Sequence, residues 1–217
     1  MFFPYKDDNP RILTPIVTYS LIGLNILIFI IQIFGQYDLI NHFAIIPNSV
    51  FMNFPYFCFT LISSTFLHGG FIHLIGNMIY LWIFGDNVEG YMGHFNFFVF
   101  YILCGVIAGC LQTLFDLKSI IPIIGASGAV AGILGSYLIL YPKARIHSIL
   151  FIFFYFTTLK IPAYIVLIFW FFIQITNGYI SIGMNVTGGI AWFAHIGGFV
   201  TGLIFISLFK KIRFLNK

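Results

Sequence analysis

Polar side chains are spaced so sparsely along this chain that apolar runs of membrane-crossing length follow one another. Six are read: Pro15 to Phe34, Phe71 to Gly85, Phe95 to Phe115, Gly125 to Tyr141, Pro162 to Asn177 and Gly189 to Phe209. Hydrocarbon offers backbone polar groups no partner outside a helix, so each run predicts a membrane-spanning helix. The first, IVTYSLIGLNILIFIIQIF, is longer than a signal-peptide core and precedes no small-residue cleavage site, so it is expected to remain as a span. Two other apolar stretches are expected to lie in the membrane interface. One is Gly35 to Gly70, rich in Phe and free of Lys and Arg; the other is the linker His147 to Lys160, HSILFIFFYFTTLK, short of a full span. With no internal repeat and no soluble segment, residues 1–217 read as one all-α polytopic bundle of six transmembrane helices with short tails.

Charge orients this plan. Lys6 and Arg11 precede the first run, Lys143, Arg145 and Lys160 lie between the fourth and fifth, and Lys210, Lys211, Arg213 and Lys217 follow the sixth. Six crossings put all of these on one side and leave Lys118 alone on the other. The positive-inside rule then places both termini in the cytoplasm. A seventh crossing within His147 to Lys160 would send the last basic cluster outside. The excess of ten Lys/Arg over six Asp/Glu is too small and too dispersed for nucleic-acid binding. Cys58, Cys104 and Cys110 have no paired spacing, so neither a disulfide framework nor a metal site is expected. A composition 60% apolar and 7% charged confines the chemistry to the bilayer and its surface.

Strongly polar side chains cost free energy in hydrocarbon, so those within spans are functional candidates. They are His73 and Asn77 in the second run, Ser127 in the fourth and His195 in the sixth. These three runs cross in the same direction, and each candidate lies within about 10 Å of the outer end of its helix at 1.5 Å per residue. His73 and Asn77, four apart, share a face. Ser127, Ala131 and Gly135 form one small-residue stripe and His195, Gly198 and Gly202 another. Gly128/Gly132 and Gly198/Gly202 have the spacing that lets helix backbones approach closely, which sets serine beside histidine. Pro122 blocks a helix upstream and Gly125 permits a tight turn, so the fourth helix is expected to begin near Ser127. The irregular stretch Ile120 to Ala126, at membrane depth, must then be buried in protein or line a water cavity, and the latter would bring water to the serine. A serine, a histidine base and water make a hydrolase. Ser127 is the expected nucleophile and His195 the general base. The side chains of His73 and Asn77 and the backbone N–H at Ser127 are the expected oxyanion donors. Asp7, Asp8, Asp38, Asp86, Glu89 and Asp116 all fall outside the six runs, so the reading is a Ser/His dyad.

These residues make the chain resemble the rhomboid family of intramembrane serine proteases, in its bacterial type. GASG (Gly125 to Gly128) is similar to the family's GxSG nucleophile motif, HGGFIHLIGN (His68 to Asn77) to its H-x4-H-x3-N pattern, and AHIGGFVTG (Ala194 to Gly202) to its base motif. FGDNVEGYMG (Phe84 to Gly93) resembles the turn after the second helix, with Glu89 as its glutamate. The resemblance implies a six-helix bundle opening to the extracytoplasmic side and cleavage of transmembrane protein segments without a cofactor, with the fifth helix and the loop before the sixth controlling access. Gly125, Gly128, His68, Glu89, Gly198 and Gly202 are implied as supporting positions. Three positions depart from the family: Phe59 and Thr60 stand where a characterised member carries Trp-Arg, and Ala131 where some members carry an aromatic residue against the base. His42, His94 and His147 are read as incidental loop residues. With the basic tails, the absence of a targeting presequence points to a bacterial cytoplasmic membrane. Beside the hydrolase stand two other classes: an inactive rhomboid-like protein that binds membrane helices, and a transporter or metal-binding protein using His68, His73 and His195.

Overall fold

A computed structural model of the chain describes residues 2–152, 155–183 and 189–215. Eight α-helices are described: α1 (Ile16–Phe34), α2 (Leu39–Phe43), α3 (Phe54–Ser63), α4 (Phe71–Met92), α5 (His94–Phe115), α6 (Ser127–Leu140), α7 (Ala163–Gly183) and α8 (Trp192–Leu215). A helix occupies each of the six apolar runs, and the protein is an integral membrane protein. By length and composition α1, α5, α7 and α8 can each cross a bilayer; α4 qualifies together with the Phe54–Phe66 helix that meets it at an 82° bend. The six-crossing count is not reached on this criterion, because α6 has 14 residues. At 1.5 Å per residue it spans about 21 Å, short of the hydrocarbon thickness.

The short helix is the centre of the bundle. Every residue of α6 from Gly128 to Tyr137 is buried. Its glycines admit α8 to backbone distance: a Cβ on Gly198 would lie 2.0 Å from the Gly128 carbonyl oxygen, and one on Gly202 would lie 1.9 Å from that of Gly132. Ser136 Oγ donates to the Gly202 carbonyl across the same seam, at 3.0 Å. Gly132 also faces Cys104 of α5, whose Sγ is 2.4 Å from a Cβ placed there. The C-terminal end of α6 is anchored as well. Tyr137 OH donates to Asp7 and accepts from Asn9 Nδ2 at 2.7 Å, while Asn87 Nδ2 donates to the same Asp7 oxygen at 3.0 Å.

Glu89 explains why α4 outruns its apolar stretch. The run was read as ending at Gly85, yet the helix continues to Met92 and carries Asp86 and Glu89 inside it. Glu89 is completely buried. It accepts from Val17 N at 2.9 Å, Thr18 N at 2.7 Å and Thr18 Oγ1 at 2.6 Å, the unpaired donors at the start of α1. His94 Nδ1 lies 2.6 Å from Glu89 Oε1, the oxygen that also accepts from Val17 N, so His94 is not incidental. Replacing Glu89 by alanine leaves those buried donors unmatched and is expected to cost about 3 kcal/mol. Thermal unfolding in detergent checks this, and an unshifted Tm would remove Glu89 from the fold's supports.

The all-α expectation misses one element. Strands β1 (Phe2–Asp7), β2 (Arg145–Ile152) and β3 (Tyr155–Pro162) form an antiparallel sheet in the order β1-β2-β3. Asp7 pairs with Ile146 and Arg145 with Pro162. The linker read as an interfacial segment is therefore a hairpin, apart from Phe153 and Phe154, which lie outside the described residues. Its Ile, Phe and Thr content suits a pleated surface, and the third strand steadies a pair that is marginal alone. His147, also read as incidental, pairs through Nε2 with Asp8. That contact holds the Asp8 carboxyl below its usual range. The stabilisation is present above the unfolded value and is lost as pH falls through the folded one. Asp8→Asn is therefore expected to lower Tm slightly at pH 6 and to leave it unchanged at pH 2; an equal gap at both would refute the contact's role.

The segment between α1 and α4 folds into α2, α3 and two 3-10 turns. It is held without an arginine at position 60: Thr60 is buried and bonds Phe57 O at 2.8 Å, Ser63 Oγ donates to Phe43 O at 2.7 Å, and Phe59 packs on Phe43 and Tyr56.

Candidate active site

The helix α6 begins at Ser127 because the residues before it are committed elsewhere. Ile45 and Ile123 exchange backbone hydrogen bonds of 3.2 and 2.8 Å, and Gly125 N donates to Ser64 O at 2.9 Å. This satisfies the irregular stretch, which is tolerated at depth only when paired or wet. Gly125 sits at φ +122°, a conformation open to glycine and strained for other residues. Its side matters too. A Cβ there would fall 2.7 Å from both Cε1 and Nε2 of His73 and 3.7 Å from Ser127 Oγ. The missing side chain is the space the serine and histidine share.

The first turn of α6 has no side-chain cap, unlike α2 and α3, capped by Asp38 and Asn53. Its opening N–H groups, that of Ser127 first, carry the positive end of the helix dipole to this space. Gly69 N donates to His73 Nδ1 at 3.3 Å, so the ring proton resides on Nε2, the atom facing Gly125. One turn on, Asn77 is buried and its Nδ2 has no partner among the described residues. His73 Nε2 thus borders the Gly125 space beside the Ser127 N–H, with the unpartnered Asn77 amide one turn further along α4. A cavity of ≈ 20 Å³ beside Ser127, bordered by Ser64, Thr65, Gly128 and Ala194, has room for one water.

His195 stands in the first turn of α8, which the glycine seam presses against α6; Ala194 O is 3.7 Å from a Cβ placed on Gly128. His195 Nδ1 meets Gln174 Oε1 at 2.8 Å, and the rings of Trp170 and Trp192 lie 5.9 and 6.2 Å from its own. Tryptophans from α7 and α8 thus flank the His195 ring. Ser127 Oγ and His195 are not hydrogen-bonded to each other. His68 lies behind His73, with ring centroids 5.1 Å apart, and its ring nitrogens are buried without partners among the described residues. Among those residues no three His, Cys, Asp or Glu side chains converge as metal ligands would, His68, His73 and His195 included.

Three glutamines, none singled out from the sequence, hold these parts in place. Gln32 accepts from His68 N at 3.2 Å and donates to His68 O at 2.5 Å, clamping the turn before α4. Gln112 of α5 accepts from Phe193 N at 3.0 Å and Ala194 N at 3.1 Å, capping α8 immediately before His195. Gln174 holds the His195 ring. A polar amide in an apolar helix is the signal that marks all three, the same one that marked Asn77.

A family model described as Rhomboid domain matches residues 57–212. The chain is similar to Rhomboid protein 1, mitochondrial, of Saccharomyces cerevisiae, 33% identical over 158 residues that make up 70% of this chain and 42% of that protein. RHOMBOID-like protein 4 of Arabidopsis thaliana is 35% identical over 144 residues, 66% of this chain and 32% of the relative. The Presenilin-associated rhomboid-like protein, mitochondrial, of Homo sapiens is 27% identical over 155 residues, 70% and 38% of the two chains. The chain spans less than half the length of these relatives.

Proposed function

The chain belongs to the rhomboid family, and from that premise we propose that it is an intramembrane serine endopeptidase cleaving transmembrane segments through Ser127 and His195. The observation that carries the reading is the space at Gly125, where Ser127 Oγ and the Nε2–H of His73 border one point beside an uncapped helix start. Ser127 Oγ attacks the scissile carbonyl and its proton passes to His195 Nε2. The oxyanion is met by His73, Asn77 and the Ser127 N–H. His195 returns the proton to the leaving amine, and water releases the acyl group by the reverse sequence. The substrate helix must unwind at the cut, because a helical amide is hydrogen-bonded and shielded.

The Ser127–His195 hydrogen bond absent here forms when substrate closes the gap, as hydrogen bonds in unliganded active sites commonly tighten only in the complex. Its absence also favours a second reading, a helix-binding protein without hydrolysis. The proposed unit is residues 1–217, set by its basic flanks in a bacterial-type cytoplasmic membrane with both termini inside and the site opening outward.

The test is cleavage of a reporter transmembrane segment by purified protein in liposomes, with a fluorophosphonate probe and EDTA in parallel. Cleavage that survives EDTA, with Ser127 labelled, supports the protease. No cleavage and no label would sink it, and co-purification of intact reporter would then support the binding reading.

A further inference from the structure

We infer that Gln174 is a positioning residue for the base, standing where a triad would carry a carboxylate. This rests on the reading of His195 as that base. Gln174 is 4% exposed, and its amide orientation is set by its own network. Nε2 donates to Trp170 O at 3.0 Å, one turn back on α7, so Oε1 is the atom facing the imidazole 2.8 Å away. An amide oxygen only accepts. His195 must therefore hold its proton on Nδ1, which leaves the Nε2 lone pair free to take one from Ser127.

In a triad the carboxylate fixes this tautomer and also stabilises the imidazolium by charge. The amide performs the first task and omits the second. Burying an ion among Trp170, Phe171 and the apolar turns around it would cost far more than burying an amide whose oxygen and nitrogen are both bonded.

The helix that bears Gln174 makes the arrangement conditional. The face of α7 that meets α8 presents Trp170, Phe171, Gln174 and Gly178: Phe171 stacks on Phe199 at 4.4 Å, and a Cβ on Gly178 would touch Ile196, Phe193 and Trp192 at 3.5 Å. Among the described residues the Gln174–His195 contact is the one hydrogen bond across this face. The base is held in its working tautomer while α7 is docked on α8 and is released when α7 moves away, so substrate that parts the two helices must let them close again before attack.

Gln174→Met keeps length and apolar packing but removes the acceptor, whereas Gln174→Glu keeps the acceptor. The reporter assay is expected to show kcat reduced about 100-fold in Gln174→Met with KM within about twofold, and Gln174→Glu recovering most of that loss at neutral pH. Independently of activity, ring 15N shifts assigned by difference from His195→Ala are expected to show Nδ1 protonated in wild type and a mixed tautomer in Gln174→Met. Wild-type kcat in Gln174→Met, or an unchanged His195 tautomer, would overturn the inference. So would an equal loss in both variants accompanied by a lowered Tm. A wild-type protein that neither cleaves nor takes the fluorophosphonate would instead remove the protease reading, and this inference with it.

Discussion

Ser127→Ala is expected to lower kcat for a reporter transmembrane segment by about four orders of magnitude or more, with the unfolding temperature held within about 2 °C of wild type. Both halves of this expectation come from the structure. Ser127 Oγ borders the Gly125 space and makes no hydrogen bond among the described residues, so its removal breaks no contact that holds the fold. Alanine is also the better helix former at the first position of α6. The side chains around the serine, His73 and His195, take their orientation from Gly69 and Gln174 and so stay in place. What disappears is the atom that would form the acyl bond. Equal cleavage by Ser127→Ala and wild type would remove Ser127 as nucleophile. A large drop in Tm would show the hydroxyl serving the fold instead.

The largest effect on stability is expected from Gly202→Ala. The added methyl would sit 1.9 Å from the carbonyl oxygen of Gly132, 2.7 Å from its carbonyl carbon and 2.9 Å from its Cα. All three are backbone atoms, so no rotamer change relieves the overlap and α8 must withdraw from α6. Withdrawal strips the Ser136 hydrogen bond and opens a seam packed for its length by small residues. A cost of at least about 3 kcal/mol follows, and His195, two turns away on the same helix, loses its placement. Detergent unfolding of Gly202→Ala beside Gly23→Ala measures this, because Gly23 of α1 has no neighbour within 4 Å of its Cβ position. Gly23→Ala is expected at wild-type stability or slightly above. Equal stability of the two variants would refute the close seam between α6 and α8.

The hydrophobic pattern was enough to locate each long helix, because apolar length in a membrane chain leaves few alternatives to a helix. It also marks His73, Asn77, Ser127 and His195 as candidates, since a polar group in hydrocarbon stands out against its neighbours. What it hid has physical reasons. The α4 helix runs past Gly85 because the charge on Glu89 is answered by donors from α1, and no window on α4 alone contains that answer. The sheet joins Phe2–Asp7 to Arg145–Ile152, strands about 140 positions apart whose pairing no local period displays. His94 and His147 looked incidental because their carboxylate partners, Glu89 and Asp8, lie across a helix junction and across that sheet. Gln32, Gln112 and Gln174 were legible in principle. Glutamine carries no chemistry of its own, however, and its worth emerges only when the backbone or ring it bonds is known.

The anchors at the two ends of α6 make that helix a gauge of fixed length. Ser127 is tied to the Gly125 turn at one end, and Tyr137, ten residues on, is tied to Asp7 and Asn9 at the other. Each residue added or removed between them would turn one end by about 100° and move it about 1.5 Å relative to the other. The serine would leave the histidine or the tyrosine would leave the aspartate. Over evolutionary time such a helix can exchange side chains but cannot change its count, so inheritance in this chain is expected to record insertions and deletions in the connections around α6 and none within it.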